Sequence, residues 1–163
     1  MELNLNGKVV VVTGGSSGIG EETAMELPEG CEVTIASRSE KKLAEAPGGS
    51  RSRAFRSTPK SWTYPSRKIS APGREGLSAV GRIDVWINNA GGNITKPSWS
   101  SRWRTGTFVI STNMTSVFWG THVAVDYMRR TGGGVILNTS SYMALIPATQ
   151  KIAYAATKAG IVN

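Results

Sequence analysis

Short apolar runs alternate along the chain with longer segments of mixed polarity. Lys8–Thr13 is a run of valines that glycines end, which predicts a buried parallel strand. Further strands are predicted at Glu32–Ala36, Arg82–Asn88 and Gly134–Thr139. Helices are predicted over 18–27, from Ser39 through Ala46, over 107–130 and from Lys151 onward. Strands that alternate with helices predict a single α/β domain with a doubly wound parallel sheet.

The composition is that of an ordinary globular domain. The 163 residues are 39% hydrophobic and 18% charged, which suffices for a sizeable core. Cys31 is the only cysteine, so no internal disulfide is expected, and the first residues lack the basic start and long apolar stretch of a secretory signal. No apolar run approaches the roughly 20 residues that span a bilayer. These features predict a cytoplasmic protein without a membrane partner.

His122 is the only histidine, and it has no cysteine or carboxylate at ligand spacing on its predicted helix. A metal ligand of this kind needs partners of the same class nearby in the sequence or the fold. We therefore predict no metal site and a structural role for His122.

The net charge of +8 comes from two stretches of the chain. Residues 47–81 hold seven basic side chains against one acidic, and residues 98–107 hold Arg102 and Arg104 without an acid. Clustered cations suit a nucleic acid, and Trp62 and Tyr64 are available as stacking partners. No nucleic-acid-binding module accompanies the charge, so a nucleic-acid partner is not expected.

A glycine-rich turn, Thr13–Gly20, follows the first predicted strand and precedes a predicted helix. Missing β-carbons let backbone amides approach a pyrophosphate at the positive end of a helix. A plain tight turn is the alternative, which the preceding valine strand disfavours. The predicted cofactor-binding residues of this turn are Gly14, Ser16, Ser17, Gly18, Ile19 and Gly20.

Tyr154 and Lys158 lie four residues apart on the last predicted helix, so both side chains project from one face. A free tyrosine ionises at about pH 10, and a nearby cation stabilises its phenolate, which suits proton exchange with a substrate oxygen. A surface pair of this kind is common and is the alternative to a catalytic pair. However, Ser141 lies thirteen residues before Tyr154, at the end of a predicted strand. Tyr142 is a poor rival because Ile146, not a lysine, lies four residues on.

These motifs resemble those of the short-chain dehydrogenase/reductase family. The glycine spacing, with three residues between the first pair, and the spacing of Ser141, Tyr154 and Lys158 carry the resemblance. It covers about 1–46, 82–97 and 108–163. It implies a Rossmann-like fold and an oxidoreductase that transfers a hydride between NAD(P) and a small-molecule alcohol or carbonyl substrate. The family is usually homo-oligomeric.

The resemblance also implies roles for single residues. Tyr154 would be the acid/base, Lys158 its activator, and Ser141 the group that hydrogen-bonds the substrate oxygen. Tyr154 and Lys158 would also contact the nicotinamide half of the cofactor. Asn113 matches a helix asparagine whose backbone holds a water that links the lysine to solvent; a polar residue tolerated in a helix is the alternative. The residues expected beside the adenosine half are Asn89, Ala90 and Gly91.

The cofactor preference depends on the end of the second predicted strand. NAD-preferring relatives usually place an acid there, against the ribose hydroxyls, whereas this chain has Ser37 followed by Arg38. A guanidinium pairs with a 2′-phosphate through several donors. NADP is therefore favoured over NAD, and a solvated loop arginine is the alternative.

Two stretches depart from the family pattern. Residues 47–81 are rich in Ser, Arg and Pro without apolar periodicity, and residues 98–107 replace an acidic lead-in to the long helix. Both are predicted to be irregular loops or out-of-frame segments. Permitted codons for 98–107, read from the third base, yield VELEVEDWD, which resembles that lead-in. A similar shift of 49–69 yields an alternating strand and an aspartate, which supports the frameshift hypothesis.

The chain ends within the helix that carries Tyr154 and Lys158. The sheet is therefore predicted to be incomplete at the C-terminus. A catalytically inactive fragment that retains at most nucleotide binding is the alternative to an active enzyme.

Overall fold

The computed structural model describes residues 4–45, 55–57, 81–146 and 149–162. Within these ranges five parallel strands form one sheet: β1 (Val9–Thr13), β2 (Glu32–Ala36), β3 (Phe55–Ser57), β4 (Val85–Asn88) and β5 (Val135–Asn138). Their order is β3-β2-β1-β4-β5. The chain moves outward from β1 to β3 and then returns to the other side of β1. This order confirms the predicted doubly wound sheet and opens a crevice at the carboxyl ends of β1 and β4.

Helices cover the sheet on both faces. The described α-helices are α1 (Gly18–Met25), α2 (Glu40–Glu45), α3 (Trp103–Ile110), α4 (Ser116–Met128) and α5 (Ile152–Gly160). A π-helical turn, Ser111–Thr115, joins α3 to α4 into one long helical segment. None of the helices in the described ranges is long and apolar enough to cross a membrane.

The valines of β1 alternate between two apolar cores, one on each face of the sheet. Val9 and Val11 pack with Trp86 against α4, while Val10 and Val12 pack on the other face. The second cluster also holds Ala24, Cys31, Val33, Ile35, Leu43 and Ile87. Because both faces are covered, β1 reads in the sequence as a continuous apolar run rather than an alternating one.

Residues 98–107 are more regular than the sequence predicts. A short 3-10 helix occupies Ser98–Ser100, and α3 begins at Trp103. The N–H groups of Thr105 and Gly106 donate to the carbonyl of Arg102 at 2.9 and 3.3 Å, which closes the first turn. The prediction of an irregular loop was wrong here because a helix that already exists extends by another turn at little cost. Because this first helical turn is exposed, its sequence has no apolar periodicity that would indicate a helix.

A second correction concerns residues 47–81. Phe55–Ser57 is a strand, paired in parallel with Val33–Ile35, so the prediction of an irregular stretch was wrong for these three residues. Pairing to an existing strand supplies the backbone hydrogen bonds that the sequence pattern does not indicate. The rest of 47–80, including most of its basic side chains, lies outside the described residues. The reading-frame hypothesis stays a prediction.

Candidate active site

The glycine turn leaves β1 at the carboxyl edge of the sheet and enters α1. Gly14 has a φ of +69°, and a β-carbon there would lie 2.9 Å from the Cα of Ala90. A β-carbon at Gly20 would lie 2.9 Å from the carbonyl carbon of Gly14. The turn thus packs backbone against backbone on both sides, and larger residues at these two positions would push it apart.

The outer side of the same turn fits a phosphate. Ser17 is the N-cap residue of α1, but its side chain makes no capping hydrogen bond. Ser17, Gly18 and Ile19 are exposed. The first N–H groups of α1 therefore lack a cap from Ser17, and they lie at the positive end of the helix. The small residues Ser17 and Gly18 leave these uncapped donors accessible, which suits the pyrophosphate of a dinucleotide.

Thr13 joins the glycine turn to the turn after β4, a role that the sequence predictions missed. Its Oγ1 accepts hydrogen bonds from the N–H groups of Asn89 (3.0 Å) and Ala90 (3.1 Å) and donates to the carbonyl of Ile87 (3.2 Å). The side-chain amide of Asn89 donates to the carbonyl of Thr13 at 3.1 Å. A hydroxyl at a strand end was the only sequence signal. These bonds place Asn89 and Ala90 beside the glycine turn.

The end of β2 contacts the glycine turn as well. The hydroxyl of Ser16 donates to Oγ of Ser37 at 2.6 Å, and the same Oγ accepts the N–H of Ser39 at 3.3 Å. Arg38, between them, is exposed, and its Cζ lies 5.6 Å from the ring centroid of Phe108 in α3. Ser37 and Arg38 therefore lie at the edge of the crevice.

Asn113 lies in the π-helical turn and is fully buried. The N–H of Ser116 donates to the carbonyl of Ser111 in this turn, an i to i+5 bond that widens the helix. Oδ1 of Asn113 accepts the N–H of Gly92 at 2.9 Å. Its amide nitrogen donates to the carbonyls of Gly92 (2.7 Å) and Val109 (2.9 Å). The Asn113 side chain thus fixes the turn after β4 against the long helical segment.

Lys158 is buried at the centre of the predicted catalytic group. Its Nζ donates to the carbonyl of Thr139 at 2.5 Å and lies 5.7 Å from the ring centroid of Tyr154. A β-carbon at Gly91 would lie 3.7 Å from this Nζ and 2.8 Å from Oδ1 of Asn113. Burial lowers the pKa of Lys158 below its ordinary value. The fold therefore brings Gly91, Asn113, Tyr154 and Lys158 together.

Ser141 follows β5 and is the N-cap of the 3-10 helix Tyr142–Ala144. Its Oγ accepts the N–H of Met143 at 3.3 Å. The preceding Ser140 donates its hydroxyl to the carbonyl of Lys158 at 2.9 Å. The loop that carries Ser141 is thus bound directly to the helix that carries Tyr154 and Lys158.

Asn88 is a second residue that the sequence predictions missed. It is buried, and its Oδ1 accepts the indole N–H of Trp86 at 2.7 Å. Its amide nitrogen donates to Asn138 Oδ1 at 2.9 Å and to Thr121 Oγ1 at 3.2 Å. In the sequence, the only indication of this role was that Asn88 is the first residue of the Asn-Asn-Ala-Gly turn. This side chain holds β4, β5 and α4 in register beneath the site.

A cavity of about 320 Å³ lies between the N-terminal ends of α3 and α5. Its lining includes Tyr154, Ile94, Trp103, Ile110 and Lys151. Gln150 also lines it, and the carbonyl of Gln150 accepts the N–H of Lys96 at 3.1 Å. The cavity gives Tyr154 a mainly apolar neighbourhood in which a small molecule could lie.

The predicted structural histidine lies on α4, outside these contacts. His122 is exposed, and its ring meets that of Trp119 edge-on at a centroid distance of 5.7 Å. Among the residues that the structure describes, no group of three His, Cys, Asp or Glu side chains is placed to hold a metal ion.

The family model described as short chain dehydrogenase matches residues 8–163. This chain belongs to the short-chain dehydrogenase family. It is 34% identical to a 3beta-hydroxysteroid dehydrogenase 1 of Eggerthella lenta, covering 97% of this chain and 62% of that relative. It is 29% identical to the 15-hydroxyprostaglandin dehydrogenase (NAD(+)) of Rattus norvegicus, covering 99% and 60%.

A solved structure of the family has the same fold. A short chain dehydrogenase from Bacillus anthracis superposes with a TM-score of 0.83 at 29% identity, covering 97% of this chain and 65% of that one. The Rossmann-like fold that the sequence predicts is thereby confirmed. The chain spans less than two thirds of the length of each of these three family members.

Proposed function

We propose that this chain carries the cofactor-binding and catalytic part of an oxidoreductase that interconverts a small-molecule alcohol and the corresponding carbonyl compound. The observation that carries the proposal is the position of the Lys158 ammonium, buried between the carbonyl of Thr139, the ring of Tyr154 and the backbone of Gly91. A buried cation beside a phenol is an arrangement suited to proton transfer at a substrate oxygen.

NAD(P) supplies or accepts the hydride when it is bound. The uncapped start of α1 and the close-packed glycines would hold its pyrophosphate, and the turn Asn89–Gly91 would lie along its adenosine half. Tyr154 and Lys158 would contact the nicotinamide ribose. The fit rests on the glycines, because β-carbons at Gly14 or Gly20 would collide with backbone atoms as well as with the side-chain amide of Asn89.

Proton transfer falls to Tyr154. In the direction of reduction its phenol gives a proton to the carbonyl oxygen, and in the direction of oxidation its phenolate takes the proton of the alcohol. The ammonium of Lys158, 5.7 Å from the ring centroid, offsets the negative charge of the phenolate. Its hydrogen bond to Thr139 holds the ammonium in place while the proton moves.

Ser141 orients the substrate. Its Oγ already accepts the N–H of Met143, so the hydroxyl proton remains available for a bond to the substrate oxygen. A donor fixed before the reaction stabilises charge that develops on that oxygen.

Asn113 supports Lys158 through its backbone rather than through its side chain. Its side chain is committed to Gly92 and Val109, so any contribution to a proton relay comes from its backbone. The π-helical turn displaces the backbone carbonyls from the regular helical pattern, which suits a bound water between Lys158 and solvent.

The cofactor of this chain is proposed to be NADP rather than NAD. Ser37 stands where an acid would bind the ribose hydroxyls, and the exposed guanidinium of Arg38 lies beside it at the edge of the crevice. An acid at this place would repel a 2′-phosphate, whereas Arg38 would pair with it.

The substrate is proposed to be apolar. The cavity beside Tyr154 has room for part of a small molecule, and isoleucine and tryptophan side chains line it. The name of the Eggerthella relative points to hydroxysteroids, which belong to this chemical class.

Titration with NADPH and NADH, followed through nicotinamide fluorescence, tests the proposal. We expect saturable binding of both nucleotides, with NADPH bound more tightly, and oxidation of NADPH in the presence of an apolar ketone from a panel. Absence of binding to either nucleotide at millimolar concentration would contradict the proposal. Binding without turnover would leave only its cofactor-binding half.

A further inference from the structure

Arg38 lies over an aromatic ring that belongs to a distant part of the chain. Its Cζ atom is 5.6 Å from the ring centroid of Phe108, within the separation of about 6 Å over which a cation and a ring attract each other. Arg38 is exposed, and 39% of Phe108 is exposed. The pair thus forms at the surface, where a ligand has access to the guanidinium.

The contact orients the guanidinium without using its donors. The N–H groups of a guanidinium lie in its plane, and the ring of Phe108 accepts none of them in a conventional hydrogen bond. Among the described residues, no carboxylate forms an ion pair with Arg38. The donors therefore remain available for two parallel bonds to a phosphate.

The other end of the Arg38 side chain is fixed as well. Its neighbour Ser37 is bonded to Ser16 in the glycine turn and to the N–H of Ser39. The backbone at residue 38 is thus tied to the glycine turn, while the tip of the side chain meets Phe108 in α3. Without the ring, an exposed arginine would sample many rotamers, and ligand binding would have to restrict them.

We propose that Phe108 is a positioning residue for cofactor selection. Its ring holds the guanidinium of Arg38 ready for the 2′-phosphate of NADP and thereby strengthens the binding of NADP relative to NAD. This inference rests on the proposed function, in which Ser37 and Arg38 face that phosphate.

The test compares three variants of the full chain with the wild type. Phe108→Leu removes the ring and keeps an apolar side chain, Phe108→Trp keeps an aromatic ring, and Phe118→Leu removes an exposed ring elsewhere on the long helical segment. Dissociation constants are measured by calorimetry for adenosine 2′,5′-bisphosphate and adenosine 5′-monophosphate, and by fluorescence for NADPH and NADH. The two adenosine nucleotides isolate the 2′-phosphate from the nicotinamide.

Phe108→Leu should weaken the binding of the 2′-phosphorylated ligands about two- to fivefold, the range of an exposed cation–π contact, and leave the other ligands unchanged. Phe108→Trp and Phe118→Leu should retain wild-type ratios. In the background of Arg38→Ala, Phe108→Leu should have no further effect, because the ring acts only through the guanidinium. This last comparison uses the ratio of the dissociation constants of two ligands for the same variant. A general loss of stability affects both constants and therefore does not produce the same result.

Two results would overturn the inference. Phe108→Leu could weaken both classes of ligand equally, or Arg38→Ala could abolish the NADPH preference while Phe108→Leu leaves it intact. In the second case the proposed cofactor stands and only the role of Phe108 falls. A wild-type protein without any preference for the 2′-phosphorylated ligands would instead contradict the proposed cofactor itself.

Discussion

The ammonium of Lys158 donates a 2.5 Å hydrogen bond to the carbonyl oxygen of Thr139, nineteen residues earlier in the chain. Thr139 directly follows β5, and Lys158 lies on α5, so this bond ties the helix with the predicted acid/base to the end of the sheet. The return bond, from the Ser140 hydroxyl to the carbonyl of Lys158, makes the connection reciprocal. The proposed catalytic group is thus organised around one buried cation.

The burial of Lys158 predicts a pH dependence of stability. Burial lowers the pKa of Lys158, so the unfolded chain binds this proton more tightly than the folded chain. The free energy of unfolding should therefore rise with pH between the lowered pKa and the unfolded value of about 10.4, and the penalty is fully present below that window. Lys158→Met removes this titration.

Urea unfolding of the wild type and of Lys158→Met from pH 7 to 10.5 checks this. The wild type should gain stability relative to the variant as the pH rises. Lys96→Met, which removes an exposed lysine, controls for the loss of one charge. Parallel pH profiles for the wild type and Lys158→Met would contradict a lowered pKa of the buried Lys158.

Asp84 directly precedes β4, at the edge of the sheet opposite to the candidate active site, and it should stabilise the fold. Burial raises the pKa of Asp84, but the N–H of Val9 at 2.8 Å, the guanidinium of Arg82 and the ammonium of Lys8 outweigh burial and lower it overall. Asp84→Ala should cost about 1–3 kcal/mol near neutral pH, because it also leaves the N–H of Val9 without this partner.

The Asp84 contribution is present above the unfolded pKa of about 3.9 and is lost as the pH falls through the lower folded value. Denaturation curves at pH 7 and below pH 4 measure it. Asp126→Ala, which removes ion pairs of exposed Arg129 and Arg130, is the comparison and should cost less than about 1 kcal/mol. Equal costs for the two variants would contradict the assignment.

Substitutions at Gly14 and Gly18 distinguish the cost of backbone strain from the cost of close packing. Both have positive φ, +69° and +56°, but only at Gly14 would an added β-carbon come within 3 Å of a backbone atom, whereas Gly18 faces open space. Gly18→Ala should cost about 1 kcal/mol through strain alone, and Gly14→Ala should cost about 1–3 kcal/mol more through overlap with Ala90. Chemical denaturation of the two variants measures the difference, and equal losses would show that the turn relaxes freely.

The reading-frame hypothesis makes a prediction about the gene. Resequencing of the coding DNA should show a missing or additional base at the borders of 49–69 and 98–107, so that the corrected frame restores acidic residues before Phe108. Clean reads that confirm the present frame would reject the hypothesis.

The sequence predicts the parts of the fold that repeat a simple rule. The valines of β1 are buried on both faces, so their unbroken run is a direct consequence of the sheet position, and the glycine turn follows because only small residues fit between β1 and Ala90. The pair Tyr154 and Lys158 needs only the helical period to share a face.

The remaining features depend on contacts between distant residues. The bonds from Thr13 to Asn89 and Ala90 join segments more than seventy residues apart, and nothing local in either segment announces them. The contact of Arg38 with Phe108 is of the same kind. The π-helical turn lies where the buried side-chain amide of Asn113 bonds to Gly92 and to Val109, and no periodicity in the sequence indicates it.

One comparison tests the central claim most directly: the rate of NADPH oxidation with a panel of apolar ketones for the wild type, Tyr154→Phe and Tyr142→Phe. Tyr142 is exposed on the 3-10 helix after Ser141 and serves as the matched control. The account predicts that Tyr154→Phe still binds NADPH but loses at least about 100-fold in turnover, while Tyr142→Phe matches the wild type. Wild-type turnover by Tyr154→Phe would contradict it.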